Sequence, residues 1–264
     1  MNAISMSKGI RRALVATAIV SGFAGATAQG VVSTVILNDT NAGDNFLYNN
    51  SPATNFANSG LFYYDARGAG LDRARPVIRF DLASLPSGAT ITDVRLELKL
   101  QQYTYINTNA GNASVTHNFA MHQMLADWSE TTSNWNDRSA GNAWSAGGMA
   151  AGADYKATAE DSVAVNSSLQ GTYLSWNITS LYNSWMSGAA QNYGVNIMGP
   201  AGDPSMIGAN GDTTDGVFRL YNSEYADDTF RPHLVITYAV PAPASIGALG
   251  MGGLMLARRR RATR

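Results

Sequence analysis

The sequence predicts an all-β protein: an antiparallel β-sandwich or jelly roll with one short helix near residues 180–187. Apolar residues recur at every second position in run after run. The runs are short and are broken by Gly, Asn and Ser, and only one segment carries helical spacing. About nine such runs fit packed antiparallel sheets far better than a β-α-β fold.

The clearest strand is Val94 to Leu100, where Val94, Leu96, Leu98 and Leu100 share one face and Arg95, Glu97 and Lys99 the other. That is the pattern of a sheet wet on one side. Val77 to Leu82 repeats it, with Ile78, Phe80 and Leu82 inward, and Ala83 to Gly88 links the two as a turn. Further strands are expected at 31–37, 61–64, 115–124, 173–178, 193–198, 217–221 and 234–238. The helix rests on Leu181 and Trp185, one turn apart, and Gly188 should end it. Residues 140–159 and 199–216, rich in Gly and Ala or headed by Gly-Pro, read as long surface loops.

Both ends differ from this middle. Residues 1–28 have the parts of a secretory signal: Lys8, Arg11 and Arg12, then an apolar stretch, then Ala26-Thr27-Ala28 as a small-residue cleavage site. The mature chain is expected to start at Gln29, placing the sandwich at 29–239. Residues 240–264 hold Pro241, Ala242 and Pro243, a short apolar run, and Arg258, Arg259, Arg260 and Arg261. From Ile246 to Ala257 a helix would rise about 18 Å, against a hydrocarbon core of about 30 Å. This favours transient membrane association over a permanent span, with the arginines on the cytoplasmic side.

The formal net charge of −1 hides a separation. All 19 acidic residues lie in the middle region, against ten of the basic ones, so the domain is close to −9. Such a surface repels polyanions, which argues against nucleic acid as a partner. No cysteine is present, so stability must come from packing.

Four blocks in order resemble a known domain. They are Ala74 to Ile91; Ala126-Asp127-Trp128-Ser129-Glu130 onward to Asn136; Ile178 to Leu181 with Trp185, Gly188 and Asn192-Tyr193-Gly194; and Asn222 to Tyr225 with Arg231 to Tyr238. Together they resemble the DNRLRE domain, the group related to family 96 carbohydrate-binding modules. The hexapeptide that names the domain is absent, Asp93 to Leu98 being only loosely like it. The resemblance implies a β-sandwich in secreted and surface proteins, some of which bind alginate-like glycans. The tail separately resembles a PEP-CTERM sorting signal in a Pro-Ala-Pro variant, with Ala242 where the usual motif has Glu. It implies an exosortase partner, export, and a destination at the cell surface or in the extracellular matrix.

Candidate ligand-binding residues are Trp128, Trp135 and Trp144, whose indole faces could stack on a pyranose, with Asp127 and Glu130 beside them to bond hydroxyls. Packing is the competing role for each ring; Trp176 and Trp185, inside strand and helix patterns, are expected in the core. Calcium is the candidate metal, since carboxylates abound and thiolates are absent. Asp39 and Asp44 in one loop, and Asp203, Asp212 and Asp215 in another, are the local clusters, with ordinary turn chemistry as the competing role. No organic cofactor is implied. Arg79 should form a strand-surface salt bridge, its partner unread.

Catalysis has little support. There is no HExxH, GxSxG or cysteine nucleophile, and His117 and His122 have opposite strand parity. The expectation is a noncatalytic exported protein that adheres to polysaccharide. A purely structural spacer is the alternative, and a polysaccharide lyase or hydrolase a third reading that would need His and Tyr side chains together in a cleft.

Overall fold

The computed structural model describes residues 29–66, 73–83, 85–106, 116–198 and 215–240. The signal residues Ala26 and Ala28, the tail residues Pro241, Ala242, Pro243 and Arg258 to Arg261, and most of the 199–216 loop lie outside them.

Thirteen strands and one helix make up the described chain. The strands are β1 (Gln29–Ile36), β2 (Ala42–Tyr48), β3 (Leu61–Ala66), β4 (Arg73–Phe80), β5 (Thr90–Ile106), β6 (His117–Gln123), β7 (Asp137–Ser139), β8 (Asn142–Ala143), β9 (Asp161–Val165), β10 (Tyr173–Asn177), β11 (Val195–Met198), β12 (Asp215–Tyr221) and β13 (His233–Val240). Helix α1 is Thr179–Met186. All ladders between them are antiparallel, and the expected all-β sandwich is the fold found.

The 17-residue strand β5 organises both sheets. Its first part pairs with β13 and β10, giving the order β1-β13-β5-β10; its last part pairs with β12, from which β3, β4, β11, β6 and β9 continue. The strand changes sheets where the register with β12 slips, leaving Gln101 as an extra residue between Leu100 and Gln102. Such a bulge bends the strand and shifts its parity. Burial follows suit: Val94, Leu96, Leu98 and Leu100 are fully inward, then Tyr103 rather than residue 102.

The main core lies between the sheets and includes Phe62, Ile78, Phe80, Phe119, Trp176, Phe218 and Ile236. Trp176 also reaches across the layers, its indole N–H donating to the Phe119 carbonyl at 2.8 Å. Helix α1 closes one end. Leu181, Tyr182 and Trp185 are its buried face, with Trp185 edge-on to Phe80 at 5.7 Å. Gly188 follows at φ +73 and donates its N–H to the Trp185 carbonyl, the left-handed stop expected from the sequence.

A second, smaller core sits on the opposite face of the larger sheet. Leu47, Val77, Met124, Trp128, Trp144, Met149, Tyr155 and Met198 form it. Strands β2, β4 and β11 are therefore buried on both faces, Phe46 and Ile78 serving the main core while Leu47 and Val77 serve the second. The expected surface loop at 140–159 is corrected here: it folds back as the cover of this core. Its organiser is Asp154, only 2 % exposed, whose carboxylate accepts from the Ala150 N–H at 2.7 Å, the Ser145 N–H and the Ser145 hydroxyl.

Candidate functional site

The tryptophan segment begins where β6 ends and runs over β2. Asn45 of β2 is buried and fixes it, donating from Nδ2 to both the carbonyl and the hydroxyl of Ser133 at 2.9 Å. Asn55 adds bonds from Nδ2 to the carbonyls of Glu130 and Ser133. Every donor of these two side-chain amides is thus spent on holding the segment.

That docking decides the tryptophans. Trp128 is 2 % exposed and gives its indole N–H to the Tyr193 carbonyl at 2.8 Å; Trp144 is 5 % exposed and gives its own to the Asn134 carbonyl at 2.9 Å. Trp135 is partly buried, with the Arg75 guanidinium over its ring at 5.3 Å and Gly147 and Gly148 packed against it. The expected row of stacking faces is corrected accordingly: Trp128 and Trp144 offer no face to solvent, and Trp135 is flanked by protein. Trp176 and Trp185 are in the core as expected.

The polar residues around Trp128 behave differently. Arg79, projecting from β4, places its guanidinium 5.5 Å from the Trp128 ring and donates from Nη1 to Asp127 Oδ1 at 2.7 Å. This is the expected strand-surface salt bridge, now with its partner. Beside it opens a groove of about 500 Å³, lined by Asp39 to Gly43, by Arg79 to Asp81, and by Glu130 and Asn192. Asp39, a candidate metal ligand, and Asp127 and Glu130, from the tryptophan segment, thus converge with Arg79 at one place.

The frame of the groove is made by backbone and amide bonds. Asp81 N–H donates to the Asn41 carbonyl at 2.8 Å, Asn192 Nδ2 to the Phe80 carbonyl at 2.8 Å, and Asp44 N–H to Glu130 Oε1 at 3.1 Å. Gly43 lets Glu130 lie close, since a β-carbon there would fall 3.2 Å from Glu130 Oε2. What remains directed to a ligand is mostly acceptor oxygen, together with the guanidinium. Such a surface takes hydroxyl donors along an open channel. Asp81, Gly43 and Asn192 carry no local mark of a site: β2 pairing with β4 sets Gly43 opposite Arg79, and the Asn192 bond to the Phe80 carbonyl brings in the segment before β11.

Of the metal candidates, the structure describes the side chains of Asp39 and Asp44. Among the described residues no three Asp, Glu or His side chains are placed to hold an ion. Asp39 is exposed, whereas Asp44 is fully buried, accepting from Asn222 Nδ2 at 3.1 Å and from the Ser223 N–H at 2.9 Å. Burial first, and the neighbouring Glu224 second, push the Asp44 carboxyl well above the usual carboxylate range, so it keeps its proton and donates to Glu224. Asp203 and Asp212 lie outside the described residues, as does the side chain of Asp215.

The model of carbohydrate-binding module family 96 matches residues 36–237. The chain belongs to that family. No curated protein matches. The family 96 match spans both sheets, the second core and the groove.

His122 and His233 lie apart from the groove. His122 is buried against Tyr155 with Nδ1 2.9 Å from the Lys156 carbonyl, and burial lowers its pKa. His233 and Tyr173 do meet, stacked at 4.5 Å with the tyrosine hydroxyl 3.3 Å from Nε2. That hydroxyl donates to the Thr229 carbonyl at 2.7 Å, and burial raises its pKa, with Glu97 and Asp227 adding to the shift. A hydroxyl so held keeps its proton and makes a poor base.

Proposed function

We propose that this carbohydrate-binding module is the adhesive part of an exported, noncatalytic surface or matrix protein, and that it holds polysaccharide in the Arg79–Glu130 groove. The single observation that carries the proposal is the convergence of Arg79, Asp127, Glu130, Asp39 and Asp81 at an open channel within a family 96 module. Hydroxyls along a glycan donate to the carboxylates, while Arg79, braced by Asp127 and Trp128, supplies a donor fork of fixed direction.

The finer parts of the proposal concern the ends. Residues 1–28 act as a secretory signal cleaved after Ala28, and residues 240–264 as a PEP-CTERM-like tail on a DNRLRE-type domain at 29–239. An exosortase processes that tail after transient retention at the inner membrane. Mass spectrometry of protein recovered from the cell surface tests both: a chain starting at Gln29 and lacking Arg258 to Arg261 is expected. An intact terminus at either end removes that half.

A glycan array probed with the purified chain, alongside Arg79→Ala, tests the groove. Binding that falls about tenfold or more in the variant, with folding unchanged, is expected. Running the array with calcium and with chelator tests the cation expectation in the same experiment. The burial of Trp128 and Trp144 favours the spacer as the second reading; absence of binding to every glycan would leave it standing.

A further inference from the structure

The groove has a charge bias that selects among glycans. Three carboxylates line it, Asp39, Asp81 and Glu130, and Arg79 is the one basic residue among its lining residues. Arg79 is already paired with Asp127 at 2.7 Å. No lysine or arginine bridges Asp39, Asp81 or Glu130 among the described residues, whose ion pairs are Arg79–Asp127, Arg95–Asp93 and Lys156–Glu160. Asp39 and Asp81 are also exposed, and among the described residues no hydrogen-bond donor is placed on either carboxylate.

We infer that the groove prefers a polysaccharide bearing free amino groups, a de-N-acetylated hexosamine polymer, over neutral and uronate polymers. This rests on the groove being the glycan site. An ammonium group carries positive charge and three donors in a small volume, matching acceptor-rich walls that have no protein cation. A uronate would meet three like charges there and one guanidinium already engaged. The domain's overall charge, close to −9, acts in the same direction at longer range.

Isolated exposed pairs contribute little, each about a few-fold in affinity, so the preference comes from several ammonium groups of one chain meeting several carboxylates. An affinity difference on the order of tenfold is expected between a glucosamine hexamer and its fully N-acetylated counterpart, shrinking as salt is raised.

The test uses the full chain in calorimetric titration with three hexamers, of glucosamine, N-acetylglucosamine and a hexuronic acid, each with chelator. The pH is mildly acidic, where the amines are protonated and exposed carboxylates remain ionised. The double variant Asp39→Asn/Asp81→Asn changes exposed side chains only and leaves the packing intact. The inference predicts that it weakens glucosamine binding several-fold more than N-acetylglucosamine binding, so that the gap between the two closes. Equal affinity for the two hexosamine polymers, tighter binding of the uronate, or a preference that persists in the double variant would each overturn the charge inference while leaving a glycan site in place. No binding of any of the three would overturn the site itself.

Discussion

Trp135 lies flat against Gly148, so closely that a β-carbon at residue 148 would stand 2.4 Å from the ring. The contact clamps the 140–159 cover to the tryptophan segment, and the Gly148 N–H donating to the Trp135 carbonyl at 2.7 Å tightens it. Gly148 also sits at φ +69, a region costly for any residue with a side chain. Gly148→Ala is therefore expected to cost about 2–4 kcal/mol, combining left-handed strain with overpacking. Urea unfolding followed by tryptophan emission would measure it.

Trp128→Ala should behave as a core deletion, losing about 3–5 kcal/mol of unfolding free energy. Trp128→Phe, which keeps an aromatic ring and loses the bond to Tyr193, should cost less and leave glycan affinity within about threefold, since both are packing effects. A large affinity loss in the Phe variant at full folding would mean that the indole serves the glycan site, through Arg79 or directly.

Asn45→Ala removes more hydrogen bonding than its size suggests. Besides its two bonds to Ser133, its Oδ1 accepts from the N–H groups of Phe46 at 2.8 Å and Phe56 at 3.0 Å. Leaving these buried groups unpaired is expected to cost about 2–4 kcal/mol. Faster amide exchange at Phe46 and Phe56 would show where the loss falls.

The Asp44–Glu224 pair sets an unusual pH dependence. Burial is the largest cause of the upward shift in both, and a raised carboxyl pKa means that the folded state holds the proton more tightly than the unfolded chain. The pair's contribution is complete below the ordinary carboxylate range, near pH 4, and is lost as pH rises through the raised values. Melting temperature attributable to the pair should thus fall from mildly acidic to neutral pH. In Glu224→Gln, where an amide oxygen can still accept from Asp44, that slope should flatten; an unchanged slope would show that other groups cause it.

Much of this architecture is legible from pattern alone where one face of a strand is wet. The Val94 to Leu100 alternation and the Leu181/Trp185 spacing translate directly into β5 and α1, whose bounds differ from the expected helix by one residue at each end. Strand β2 escapes because Asp44 and Asn45 look like turn residues and because burial on both faces erases the period of two. The aromatic residues mislead for a related reason: polar neighbours suggest exposure, but Asn45 and Asn55 use their polarity to bury the segment. Arg79, Asp127 and Glu130 were each visible, while their convergence depends on β6 reaching β4 through β11 and on β2 lying along β4, pairings between distant parts of the chain.

The first strand pairs with the last along its whole length, Gln29 opposite Val240 and Ile36 opposite His233. Both ends of the domain therefore leave from one pole. Tension between the tail and the N-terminus would peel β1 from β13 one rung at a time, the weak direction of a sheet, whereas a load carried from the groove to the tail passes through β4, β3, β12, the shared strand β5 and β13. The sheet resists a pull on the groove better than a pull on its first strand.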